Sequence, residues 1–227
     1  MQDEITLEIL GAPTARLMEA SWASRLQPVC ARLKSIGQKR RADGIHYLVT
    51  RLRRTRPSTY RHCLRAAKLS RTIGRALGFD ACRLQQLAST AMLHDIGKLL
   101  VPEAILNRPR KPTRLEQFIL HLHPNFGALL ASYFNLSPEL RIRTQHHHER
   151  WDGRGYPHRL GSYDIPLMAR IVQVADTFDA MVADDRNYRR PLTHADAFKE
   201  LRAESGKQFD PRLVEAFLDT FEREEVR

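Results

Sequence analysis

Nowhere in these 227 residues is there an apolar run of the roughly 18–20 residues that a membrane-crossing helix needs. A positively charged start leading into an apolar core is missing too, since Asp3, Glu4 and Glu8 crowd the first ten residues, so no secretory signal is legible. The three cysteines, Cys30, Cys63 and Cys82, are odd in number and lack metal-type spacing, which excludes a disulfide framework or zinc ribbon. Free thiols in a reducing cytoplasm are the expectation. Only 11 Gly and 12 Pro rule out a fibrous or linker-dominated chain. No nucleophile elbow, phosphate-binding glycine loop or dinucleotide fingerprint occurs, so those chemistries have no motif here. Alternating strand pairs with hairpin turns are absent, as are internal repeats.

What remains is a globular composition, 42% hydrophobic and 28% charged. The net charge of +11 favours anionic partners without choosing among them. Basic residues concentrate in residues 1–57, and Pro57 is the expected boundary because it disfavours helix at Arg56. Residues 1–57 read as a short basic helical appendage of unknown role, with Leu17, Leu26, Val29 and Leu33 as a packed face and Pro28 as a kink. No helix-turn-helix pattern marks that segment for nucleic acid. Residues 58–227 read as helix after helix. Ser58 is expected to cap a helix ending before Gly78, and Asp80 to cap the next. Thr113 and Glu116 form a capping box; Ser137-Pro138 and Asp210-Pro211 pair an N-cap with a first-position proline. Asp164-Ile-Pro166 opens an apolar segment running to Met181. The expected fold is an all-α bundle.

Ten histidines stand out by their company. His94 and Asp95 are adjacent in what reads as an apolar helix, and His147-His148-Glu149 precede a glycine-rich turn. Burying so much imidazole and carboxylate costs several kcal/mol for each uncompensated charge unless metal or hydrogen-bond partners satisfy it, and metal coordination is the economical explanation. A donor set of imidazole and carboxylate without thiolate suits a pair of iron or manganese ions better than structural zinc. An Asp can bridge two such ions, which acidify a shared water to about pKa 7 and so supply a nucleophile. The glycines of Asp152-Gly-Arg-Gly-Tyr-Pro157 let backbone approach a ligand closely, and Tyr156 offers a flat face or a hydroxyl.

His94-Asp-Ile-Gly-Lys98, His123-Pro124, His147-His-Glu-Arg-Trp-Asp-Gly-Arg-Gly-Tyr-Pro157 and Ala175-Asp-Thr-Phe-Asp-Ala180 occur in an order and spacing that resembles the HD-GYP family. These are bacterial metal-dependent cyclic dinucleotide phosphodiesterases of the HD superfamily, and the resemblance spans about residues 58–222. It implies an HD-type bundle around a central dinuclear site held by His62, His94, Asp95, His123, His147, His148 and Asp176. It implies catalytic roles for Asp95 and Lys98, with Lys98 placed to meet a phosphate oxygen or the leaving alkoxide. Gly155, Tyr156, Pro157, Arg186 and Arg189 would join Lys98 in holding substrate. His146 is read as a residue that supports the ligands or faces solvent, and His121 as a bystander of His123. Two departures stand out. Ser58 occupies the position where some members carry a glutamate for a third metal, so two ions are expected. Asn187 replaces a proline between Arg186 and Tyr188. The implied reaction opens cyclic di-GMP to pGpG, and on to GMP if a second cut follows, through a metal-bridging hydroxide. Alternatives are a phosphodiesterase for another cyclic dinucleotide and a receptor that binds cyclic di-GMP without turnover. Implied partners are the nucleotide itself, other signalling proteins through residues 1–57, and a second copy of the chain.

Overall fold

The computed structural model describes residues 44–106, 110–184 and 190–225. The expected face of Leu17, Leu26, Val29 and Leu33, the kink at Pro28, and Arg186 and Arg189 lie outside them. Helices follow one another: α1 (Gly44–Thr55), α2 (Pro57–Ala76), α3 (Ala81–Leu93), α4 (Glu103–Leu106), α5 (Arg114–His121), α6 (His123–Tyr133), α7 (Pro138–Gln145), α8 (Leu167–Val182), α9 (His194–Ala203) and α10 (Pro211–Glu225). Short 3-10 turns, Ile96–Leu99 and Ser162–Asp164, follow α3 and precede α8. Among the described residues there is no strand, only an isolated bridge between Ser205 and Phe209. The all-α expectation holds.

Local chemistry sets most helix ends. Asp80 accepts from the Arg83 amide, Ser137 from the Leu140 amide, and Thr113 with Glu116 completes the capping box. Gly78 takes φ +73 just beyond α2, a conformation that stops a helix and that glycine adopts without strain. The start of α2 differs from expectation. Ser58 is not the cap: α2 begins at Pro57, with Arg56 in the capping position and no side-chain cap bond. A proline's fixed φ and missing N–H suit the first helical position, so a side-chain cap is dispensable there.

Two hydrophobic clusters share the same long helices. One gathers Ile73, Leu87, Ile171, Val174, Phe178 and Phe217 from α2, α3, α8 and α10. The other gathers Leu48, Leu52, Cys63, Leu93, Phe126 and Phe134 from α1, α2, α3, α6 and the residue after it. Both α2 and α3 contribute to each, so the polar residues near the middle of α2 and the end of α3 sit on the seam. α1 lays Leu48 and Leu52, both fully buried, against the bundle. Of α8, eleven residues are buried, including Arg170 and Asp179, which makes it the central post against which α2 packs.

Candidate metal centre

Three of the expected ligands sit at helix junctions, and one device orients them all. His94 follows α3, His123 opens α6 and His147 follows α7. Each directs Nδ1 to the carbonyl three residues earlier: His94 to Ala91, His123 to Leu120 and His147 to Thr144, all at 2.7 Å. A carbonyl only accepts, so Nδ1 must carry the proton, which leaves Nε2 as the ligating atom. His94 and Asp95 therefore do not lie inside an apolar helix as the sequence reading had it. α3 ends at Leu93, and Asp95 precedes the 3-10 turn. The break turns the Asp95 carboxylate inward together with the His94 ring.

The Nε2 atoms converge in two groups on either side of Asp95. In one, His62 Nε2 is 2.9 Å from Asp176 Oδ1, with His94 Nε2 3.8 Å from the same oxygen and 3.5 Å from Asp95 Oδ2. In the other, His123 Nε2 lies 3.2 Å from Nε2 of both His147 and His148 and 3.2 Å from Asp95 Oδ1. Asp95 thus offers one oxygen to each group. Buried polar atoms ordinarily find partners. Here His94 Nε2 is buried without one. The Nε2 atoms of His123 and His147 present lone pairs to each other, because both protons are committed at Nδ1. Lone pairs at that distance repel unless a cation sits among them. The seven residues His62, His94, Asp95, His123, His147, His148 and Asp176 are therefore brought to one place, and their donor chemistry fits metal ions.

Protonation differs between the groups. For His62, burial opposes charge, but hydrogen bonds to Asp176 and Asp179 overcome it and push the imidazole up to about 9. His94 is likewise pushed up to about 9 against burial, chiefly by the Asp95 charge. Burial and the neighbouring His123 push His148 down to about 3, and burial with His148 holds His147 well below the ordinary imidazole value. Asp95 and Asp176 stay ionised despite burial, through Lys98 and His94 for the first and His62 for the second. In the metal-free chain protons stand in for cations on the His62–His94 side. Their contribution to stability is whole below the unfolded value of 6.5 and is lost as pH rises through about 9. His148 acts oppositely, since below 6.5 the unfolded chain takes a proton that the folded chain refuses until about 3. The melting temperature of metal-free protein is expected to peak near pH 6.5. Manganese titrated calorimetrically at pH 7 in buffers of different ionisation enthalpy should release protons from His62 and His94; buffer-independent heats would contradict this.

Other residues fall around this centre. Lys98 Nζ is 2.5 Å from Asp95 Oδ2, and that carboxylate holds its ammonium in the charged form against burial. Tyr156 stacks on His148 at 4.9 Å and on His121 at 4.4 Å. Gly155 lies so close to the backbone of His148, Glu149 and Arg150 that a Cβ there would collide with main-chain atoms. Pro157 follows through a cis bond. His146 points elsewhere, to the Ile142 carbonyl and His158.

Sequence reasoning passed over three participants. Asp179 accepts from His62 Nδ1 at 2.7 Å and is forked by Arg65 at 2.6 and 3.0 Å, so it orients the first histidine. The matched spacing of His62 with Arg65 and Asp176 with Asp179, three residues each, was the available signal. His121 is no bystander, because its ring backs Tyr156. Cys63, fully buried, brings its sulfur within 4.8 Å of donor atoms on His94 and Asp95, so a thiol belongs to surroundings expected to hold none. Nothing in the spacing of the cysteines announces that.

A family model described as HD domain matches residues 45–213. The chain is 41% identical over 163 residues to a cyclic di-GMP phosphodiesterase of Thermotoga maritima, covering 70% of this chain and 44% of that protein. It is 36% identical over 160 residues to the 3'3'-cGAMP-specific phosphodiesterase 2 of Vibrio cholerae, covering 70% of this chain and 30% of the other. The chain thus spans less than half the length of these curated relatives. Among solved structures, an HDG"Y"P protein from Bdellovibrio bacteriovorus superposes with a TM-score of 0.59 at 21% identity, over 72% of this chain and 52% of that one. That likeness bears on fold alone. No described helix is long and apolar enough to cross a membrane.

Proposed function

Because this chain belongs to the HD-domain family and carries the HD-GYP motif set, we propose that it hydrolyses cyclic di-GMP to linear pGpG using two divalent ions, iron or manganese. The observation that carries this reading is the pair of imidazole groups facing one carboxylate, with a buried His94 nitrogen that lacks a hydrogen-bond partner of ordinary geometry among the described residues. His62, His94, Asp95 and Asp176 would hold one ion, and Asp95, His123, His147 and His148 the other. Bound there, the ions supply Lewis-acid charge to a phosphate and acidify water for attack on it.

The chain's own residues do the rest. The carbonyl and Asp179 contacts fix the imidazoles before substrate arrives, so no reorganisation is needed during reaction. Lys98, held charged beside Asp95, suits neutralisation of a phosphate oxygen better than donation of a proton. Water adds to phosphorus, the bond from phosphorus to the 3' oxygen breaks, and that oxygen leaves with a proton. Tyr156 already stacks with His121 and His148, which leaves its hydroxyl as the group to offer the nucleotide. Burial and the charges of Asp176 and Asp95 keep that hydroxyl protonated, hence a donor. Arg186 and Arg189, outside the described residues, are assigned to guanine and phosphate, which guanidinium forks recognise. Residues 1–57 are assigned to contacts with other signalling proteins.

The test is a panel of cyclic di-GMP, 3'3'-cGAMP and cyclic di-AMP offered to manganese- or iron-loaded protein, with products resolved by chromatography. Cyclic di-GMP should be consumed fastest, yielding pGpG. Faster loss of 3'3'-cGAMP would shift the substrate to the mixed dinucleotide. Tight binding of cyclic di-GMP with no product after hours would make the chain a receptor.

A further inference from the structure

A second donor cluster lies outside the site just described. His146, at the end of α7, Glu149 and His158 each offer one ligand atom, and these atoms lie within 4.8 Å of one another. His146 repeats the device seen in the centre: Nδ1 is 2.7 Å from a backbone carbonyl, here Ile142, so it carries the proton and Nε2 is left to ligate. His158 Nδ1 is 3.1 Å from that Nε2. Two nitrogens bound tetrahedrally to one ion at about 2.0–2.1 Å sit about 3.3 Å apart, so the pair needs almost no movement to share a cation. Glu149, 1% exposed, accepts from the His158 amide at 2.6 Å and the Leu160 amide at 3.0 Å, one on each oxygen. The Arg159 amide also acts on this carboxylate, which still keeps a lone pair for an ion, and ligating carboxylates are commonly braced in this way.

We propose that His146, Glu149 and His158 form an auxiliary site for a borderline transition cation such as zinc, open at a fourth position to water. Two imidazoles and one carboxylate match zinc's preferred donors and number. The site spans the turn from residue 150 to 157, which presents Gly155, Tyr156 and Pro157 to the centre. An ion there ties His158, on the far side of the turn, to the end of α7 and so fixes how Tyr156 seats against His148. Without the ion, a hydrogen bond from His158 Nδ1 to His146 Nε2 holds the same ends more loosely. Binding moves that proton to Nε2 of His158, whose ring is exposed.

Zinc alone is the probe, and the full chain is the sample. Protein saturated with zinc and freed of excess by gel filtration should hold about one ion more per chain than either His158→Gln or His146→Gln. Zinc should also slow amide hydrogen exchange across residues 152–160 in the parent chain but not in the variants. Melting curves of the variants verify that they fold. Equal zinc content in the parent and both folded variants would overturn the site, whatever the outcome with cyclic di-GMP.

Discussion

Replacing His94 and Asp95 together by Ala should remove turnover of cyclic di-GMP to below detection while leaving a helical, cooperatively melting protein. The reasoning is geometric. His94 contributes a buried nitrogen without a hydrogen-bond partner of ordinary geometry among the described residues, and its loss deprives the His62–Asp176 side of a donor. Asp95 presents one oxygen to each group, 3.2 Å from His123 and 3.5 Å from His94. Without it neither imidazole group keeps its shared carboxylate, and the Lys98 ammonium loses its partner at 2.5 Å. Loss of a mere supporting contact costs roughly 10–100-fold in metal affinity or activity. Loss of the shared carboxylate and a direct donor should go well past that, and metal content after gel filtration should fall with activity. Turnover within tenfold of the parent, with metal retained, would remove the centre as the seat of reaction.

How much of this was readable beforehand depends on the range over which each signal acts. Asp80, Thr113 and Ser137 cap their helices as expected because a cap is settled within four residues. His94-Asp95 were visible because two ionisable residues side by side in apolar company contradict ordinary burial, and His147-His148 because they precede Glu149 and a glycine-rich turn. Partners across the fold were harder to see. Asp179 reaches His62 over 117 positions of sequence, and only its three-residue spacing from Asp176 sets it apart from a solvated acid. Cys63 and His121 became neighbours of the centre only through packing of α2 against α3 and the seating of Tyr156. Ser58 shows the reverse error, a local rule applied where Pro57 had already made it redundant.

The same dependence of the site on packing sets the second large effect, expected from Gly97→Ala. Gly97 lies in the 3-10 turn after Asp95, pressed against the start of α6. A Cβ there would run into the His123 carbonyl and the Gly127 amide, main-chain atoms that no rotamer change can withdraw. Overpacking of this kind costs about 1–3 kcal/mol, occasionally more. Relief requires α6 to back away, and His123 is its first residue. Withdrawal lengthens the 3.2 Å approaches of His123 to Asp95, His147 and His148, so stability and metal retention should fall together. Gly78→Ala is the control. That glycine sits at φ +73 with open space where a Cβ would go, so the substitution should cost about 1 kcal/mol through backbone strain and leave metal content unchanged. Urea midpoints with metal analysis of the same samples decide the matter. If both variants lose equal stability and both keep their metal, the contact between the 3-10 turn and α6 is not what holds His123 in place.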